Sequence, residues 1–283
     1  ELINNPSAKY EAEGMSGIIN IVLKSGKAGK NKTTIMINAG YPEIVGSNAG
    51  YSGMTSKTRF FVNAGIKHNT RFQIKEHLRE NYENPNAYNY YQYDRQDENL
   101  NDAFINSNFE YAINKKQKIG ISFIGSKKFN NADRQINYET LTKMGQKQTE
   151  SLKEINIDLN NYTIDVNLNY RYNFNKGRFL TSKIHYSLFD QLYEMNNTFY
   201  PELTSENTEL QNTYSKQINK ETDFSLDYVH PFNDSILFET GYNFNAKDLL
   251  NDFNSDSYNN NSGEWIDDPA LANELNYIQL INA

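Results

Sequence analysis

Thr163-Ile164-Asp165-Val166-Asn167-Leu168-Asn169-Tyr170-Arg171-Tyr172-Asn173-Phe174 is the stretch that decides the fold. Ile164, Val166, Leu168, Tyr170, Tyr172 and Phe174 recur at every second position. Asp165, Asn167, Asn169, Arg171 and Asn173 fill the positions between. Side chains on an extended strand alternate between its two faces, so this strand has one apolar and one polar face. Asn175-Lys176-Gly177 then supplies a tight turn. From Arg178 the alternation resumes, with Leu180, Ser182, Ile184, Tyr186 and Leu188 against Thr181, Lys183, His185 and Ser187.

The same unit recurs along the chain. Ile105 to Ile113 alternates, turns at Asn114-Lys115-Lys116, and continues through Ile119, Ile121 and Phe123. Phe224 to Tyr228 turns at Asn233-Asp234 into Ile236, Phe238, Tyr242 and Phe244. Phe60, Val62, Ala64 and Ile66 fit the same frame. Thr33–Tyr41 and Ser47–Thr55 are weaker, Gly-rich versions of it. The tenth strand starts near Glu274, with Leu275, Tyr277 and Gln279 against Asn276, Ile278 and Leu280, and its facing is ambiguous. The chain stops inside this strand, as a piece of a longer protein would.

By pattern these strands run roughly 10 to 16 residues; ordinary globular strands run about 5 to 6, and a membrane-crossing strand needs about 9 to 11. Length therefore favours an all-β, transmembrane antiparallel β-barrel. The links agree. Tight ones fall near Ser56, Lys115, Lys176 and Asp234, and long polar ones at 69–98, 131–159, 196–219 and 248–273. Outer-membrane barrels keep short turns on the periplasmic side and long loops outside the cell. The short link 42–46, which parity puts outside, is the one exception.

Composition sets outer bounds. The chain has 283 residues, net charge -7, no Cys, 21 Tyr and 16 Phe. Mean hydropathy is -0.79, which a barrel tolerates because half its strand positions and all its loops are polar. No run of about 18 apolar residues exists, so no transmembrane helix is expected. The acidic balance argues against a nucleic-acid partner. Without Cys there is no disulfide, thiolate nucleophile or Cys metal site. Residue 1 is Glu, and no secretory leader follows it.

Candidate chemistry is sparse. His68, His77, His185 and His230 form no spaced metal-ligand pair. Asp252, Asn254 and Asp256 resemble the opening of a calcium loop, but Ser257 stands where such a loop needs Gly. Tyr88, Tyr90, Tyr91 and Tyr93 sit in a tyrosine-dense stretch read as an outer loop, suited to ligand capture or to an aromatic girdle. No nucleotide loop, nucleophile elbow or carboxylate dyad is present, which points away from an enzyme and from any cofactor.

One stretch departs from the alternating rule. Asn5-Pro6-Ser7-Ala8-Lys9-Tyr10-Glu11-Ala12-Glu13-Gly14-Met15-Ser16-Gly17-Ile18-Ile19-Asn20-Ile21-Val22-Leu23-Lys24 is turn-rich and then apolar on both faces. It resembles the end of the plug domain in TonB-dependent outer-membrane receptors, most of all the Bacteroidota variety. The resemblance covers about 20 positions, and beyond Lys24 only the barrel pattern agrees. It implies that 1–30 closes a plug domain and that 31–283 opens a barrel, about ten strands of a probable 22. Asn5, Pro6, Tyr10, Gly14, Gly17, Ile18, Ile19, Asn20 and Ile21 would be the closing plug segment. Asp165, Asn167, Asn169, Arg171 and Glu239 would line the lumen. Implied partners are outer-membrane lipid, the TonB complex through a missing N-terminal part, and a scarce solute: siderophore, cobalamin, oligosaccharide or peptide. A surface lipoprotein is a further possible partner. The implied location is the outer membrane of a Gram-negative bacterium. A non-transporting barrel for adhesion or assembly and a soluble secreted β-module are the alternatives.

Overall fold

The computed structural model describes residues 2–3, 18–19, 31–82, 88–202, 208–233, 236–267 and 273–282. All regular structure among them is β. Two short strands, β1 (Leu2–Ile3) and β2 (Ile18–Ile19), pair antiparallel with each other. The rest form one sheet: β3 (Lys32–Gly40), β4 (Glu43–Met54), β5 (Thr58–Arg79), β6 (Asn89–Ala112), β7 (Gln117–Leu141), β8 (Lys147–Asn173), β9 (Phe179–Tyr200), β10 (Glu209–Pro231), β11 (Leu237–Asn259), β12 (Glu264–Asp267) and β13 (Asn273–Asn282). Each strand from β3 to β11 pairs antiparallel with its successor, and β13 pairs back onto β11. Each of the ten strands read from the alternation is present, with β12 as a short addition.

Tight links join β4–β5, β6–β7, β8–β9 and β10–β11 at one end of the wall. Side chains close three of them. Thr55 Oγ1 accepts from Thr58 N at 2.9 Å, Asn114 Oδ1 from Lys116 N at 2.8 Å, and Asn233 Oδ1 from Ile236 N at 2.8 Å. The fourth uses left-handed backbone at Lys176 (φ 61°) and Gly177 (φ 74°), where glycine carries no Cβ penalty.

At the other end the structure corrects the reading of long polar loops. Strands β5 to β11 are 22 to 27 residues long. They absorb most of 69–98, 131–159 and 196–219, and 248–259 of the last link. The reason lies in β8. Ile164, Val166 and Leu168 point to one face, but Ile155, Ile157 and Leu159 point to the other, because the alternation changes phase at Asn160-Asn161. A single period-two frame does not span the switch, so the first half of the strand does not read as a continuation.

Register explains the phase change. Residues paired across strands share a face, so the apolar face can be followed sideways. Phe60, Phe109, Ile121, Leu168, Ile184, Phe224 and Phe244 make one unbroken apolar row from β5 to β11. On this face the apolar band runs from the row of Tyr172 and Tyr228 to the row of Tyr162 and Ile218. Along β8 that is ten residue steps, about 34 Å of strand, or about 26 Å at a tilt of about 40°. A bilayer-facing band is about 25 Å tall. Past it the same face carries Asp97, Asp133, Asn156, Asn196, Asn212 and Asp256 in one row. There the outer surface meets water, and apolar side chains turn inward: Ile136 and Ile155 on the inner face are 4% and 5% exposed.

Aromatic rings crowd the tight-turn end. Phe174 lies 4.5 Å from Tyr172 and 6.1 Å from Tyr228 between ring centroids, and His230 lies 4.6 Å from Phe232. Such rings suit the boundary between lipid and water. Register also settles β13: Ile278 and Leu280 pair with Asp248 and Ala246 and share the lipid-facing side.

Candidate functional site

The polar face of the wall is the candidate site, and its centre is a cross-strand network on β8 to β11. Asn167 on β8 pairs with His185 on β9, His185 with Asp223 on β10, and Asp223 with Asn245 on β11. His185 is clamped between two carboxylates. Its Nδ1 lies 2.9 Å from Asp223 Oδ2, and its Nε2 lies 3.5 Å from Asp165 Oδ1. Asn245 Nδ2 donates to Asp223 and, at 2.8 Å, to Glu221 Oε1. Lys247 Nζ closes the chain 3.2 Å from Glu221. A histidine, three carboxylates, an amide and an ammonium thus form one half-buried belt. It can hydrogen-bond a polar surface laid against it.

Asp165, Asn167, Asn169, Arg171 and Glu239 all fall on this face. The structure joins Asp165 to the belt through His185, and Asn167 sits in register with His185. Arg171 lies nearer the tight turns, donating to Asn173 Oδ1 at 2.9 Å, with its guanidinium 4.0 Å from the Phe179 ring centroid. Asn169 presses on the bare backbone of Gly120, where an added Cβ would lie 2.6 Å from Asn169 Oδ1. Glu239 pairs in register with Val229, close to the β10–β11 turn.

Of the belt, the sequence weighs His185 only as a metal ligand and does not single out Glu221, Asp223, Asn245 or Lys247. Part of the belt could have been counted from the tight turns, which fix Asn167 opposite His185 and Asp223 opposite Asn245. The β9–β10 pairing could not, because it depends on the far end of the hairpin.

The four tyrosines do not share a loop. Tyr88 precedes β6, while Tyr90, Tyr91 and Tyr93 are on it. Tyr90 points to the inner face and Tyr91 and Tyr93 to the outer one. Asp252, Asn254 and Asp256 also lie on a strand, β11, where an extended chain cannot wrap an ion as a calcium loop does. Asn254 Nδ2 donates to Asp256 Oδ1 at 3.0 Å. Among the described residues no three His, Cys, Asp or Glu side chains are placed to hold a metal. Ile18 and Ile19 of the opening stretch form β2. Asn5, Pro6, Tyr10, Gly14, Gly17, Asn20 and Ile21 lie outside the described residues.

A second polar centre lies beyond the lipid band on the same inner face. Asp94 on β6, 3% exposed, is gripped by Arg134 on β7. Hydrogen bonds from that guanidinium hold the Asp94 carboxyl below the usual carboxylate range against its burial. On β9, Asn197 is 5% exposed, and neither its Oδ1 nor its Nδ2 has a hydrogen-bond partner.

No curated protein and no solved structure matches the chain. Residues 172–283, from the end of β8 through β13, match the model of the outer membrane protein beta-barrel family. With its tall antiparallel strands, apolar outer band and aromatic boundary, the protein is an all-β outer-membrane protein of the β-barrel type, from a Gram-negative bacterium.

Proposed function

We propose that this chain is part of a TonB-dependent outer-membrane receptor that imports a scarce solute into the periplasm. The observation that carries this reading is the stretch Asn5 to Lys24, with its Asn-Pro-Ser-Ala opening and its Gly-Ile-Ile-Asn-Ile close, directly ahead of β3. A barrel without a plug has no need of such a segment. The belt around His185 supports it further. A wall lined by paired carboxylates, amides and an ammonium suits contact with a hydrated protein plug that must be released again, whereas an apolar wall would hold it by hydrophobic burial. On this reading the solute binds at the tall end. Energy delivered from the inner membrane through TonB then displaces the plug, and the belt residues serve as wall contacts with no catalytic part.

The test uses the full-length protein in planar bilayers. A plugged importer conducts little until its plug is unfolded by urea, and the periplasmic domain of TonB retains it on a column. A permanently open pore that ignores TonB would overturn the reading. Adhesion or assembly is the second reading, and the observation favouring it is how far β5 to β11 rise past the lipid band. That reading predicts normal surface attachment in a strain without TonB.

A further inference from the structure

The rim of the wall has a step in it. Strand β3 rises to the turn at Tyr41-Pro42, and β4 descends from Glu43, which pairs with Thr70 of β5. Strand β5 does not stop at Thr70. It continues through Arg79, paired on its other side with β6 as far as Arg79↔Tyr90. Among the described residues, 71–79 are therefore hydrogen-bonded along one edge and unpaired along the other. Every one of them is exposed. Both the turn and the neighbouring strand are part of the described wall, so the step is set locally. Thr70 Oγ1 donates to Glu43 Oε2 at 3.2 Å and closes its corner.

This edge lacks two of the usual defences, Pro and a bulge, though it carries the charges of Arg71, Lys75, Glu76 and Arg79. Exposed edge strands are commonly kept short, or blunted by Pro, a bulge or charges directed along the edge. Here Arg71-Phe72-Gln73-Ile74-Lys75-Glu76-His77-Leu78-Arg79 contains no Pro, and its register with β6 has no bulge. Its two faces differ. On the outer face, past the lipid band, Phe72, Ile74 and Leu78 stand 55%, 49% and 57% exposed, with Glu76 among them. Arg71, Gln73, Lys75, His77 and Arg79 occupy the inner face. Arg71 is taken by Glu98. Asp94, which Lys75 and His77 face across the β5–β6 ladder, is already held by Arg134. Lys75, His77 and Arg79 have no described carboxylate within 4 Å, in a chain whose net charge is -7.

We propose that this edge is a docking site for a partner polypeptide, which adds as a strand beside residues 71–79. Main-chain hydrogen bonds would hold it, and its side chains would alternate between acidic and apolar. Its acidic side chains face Lys75, His77 and Arg79, and its apolar ones lie beside Phe72, Ile74 and Leu78. Charge complementarity selects an acidic segment over a basic one or a second copy of β5, whose own cations would be brought together.

The experiment uses the full-length protein in lipid nanodiscs and two synthetic peptides, one alternating Glu with Val and one alternating Lys with Val. The acidic peptide is expected to bind at least tenfold more tightly and to slow amide exchange at alternate residues of 71–79. Lys75→Glu with Arg79→Glu, both on exposed positions, should reverse the preference. Ile74→Pro should weaken the acidic peptide without changing the heat-modifiability of the barrel. Equal binding of the two peptides, protection elsewhere on the wall, or dimerisation through this edge would overturn the proposal.

Discussion

Arg134 grips Asp94 with two parallel hydrogen bonds, Nε to Oδ1 at 2.8 Å and Nη2 to Oδ2 at 2.6 Å, across neighbouring strands above the lipid band. Planar fork meets planar carboxylate, and Lys cannot reproduce that geometry. Arg134→Ala leaves a buried carboxylate unpaired and is expected to cost about 3–5 kcal/mol. Replacing both partners with apolar residues of similar volume should cost far less. Urea unfolding in lipid vesicles reads both outcomes.

The same pair sets an acid limit. The native Asp94 carboxyl lies below its ordinary value, so the folded state binds that proton less readily than the unfolded chain. Its contribution is complete above the unfolded carboxylate value of about 3.9 and is lost as pH falls through the lowered native value. Exchange protection of the amides around Asp94 should hold steady from neutral pH to about 4 and fall below it in the native protein. In Asp94→Asn that fall should be smaller.

The facing of β8 is tested at two adjacent residues. Leu168 sits in the apolar row and Asn167 in the polar belt. Arg or Lys at Leu168 is expected to cost about 2–4 kcal/mol near the bilayer midplane, and much less at Asn167. Equal losses in folding free energy would refute the assignment.

Gly65 is held to glycine by backbone. A Cβ there would lie 2.6 Å from Asn48 Cβ, 2.8 Å from a Phe104 ring carbon and 2.9 Å from the Ser47 carbonyl oxygen. Only the Phe ring can retreat. Gly65→Ala should destabilise by about 1–3 kcal/mol, as overpacking does. Gly46→Ala is the control. Its nearest contact would be 3.3 Å, so it should cost less in the same unfolding assay.

Asp256 and Asp267 pair directly across β11 and β12. A hydrogen bond shared with Asp267 pushes the Asp256 carboxyl up, so the folded state takes up a proton more readily there than the unfolded chain. Stability from this pair therefore rises as pH falls. Asp256→Asn should slow amide exchange in β12 at neutral pH, and its advantage should shrink as pH falls and the native Asp256 carboxyl takes up its proton.

With no native Cys, sidedness can be read from single substitutions. Met144, 90% exposed in the β7–β8 link, marks the tall end, and Lys176 marks the tight turns. On intact cells an impermeant maleimide should label Met144→Cys and spare Lys176→Cys. The reverse pattern would invert the wall.

Much of the wall was legible because its rules are local. Thr163–Phe174 shows both faces of a strand within twelve residues, and Asn175-Lys176-Gly177 shows where it must turn. The far half of the same strand was not legible. The environments of the two faces exchange where the wall leaves lipid, so Ile155, Ile157 and Leu159 fall out of phase with Ile164, Val166 and Leu168. The polar belt was legible only in part: Asp165 and Asn167 follow from alternation. Their companions on β10 and β11 are more than fifty residues away and meet them only through ladder register.

The sequence by itself determined the fold class, the ten main strands, the tight turns and which side of most membrane-crossing segments is apolar. These follow from side-chain alternation and turn chemistry, which need no knowledge of neighbours. Only the tertiary structure decided how far each strand rises, which polar groups meet around His185, and that residues 71–79 of β5 stand unpaired beside a shorter β4. Those depend on where strands stop relative to one another, and hydrogen-bonding across the ladder sets that jointly for two chain segments.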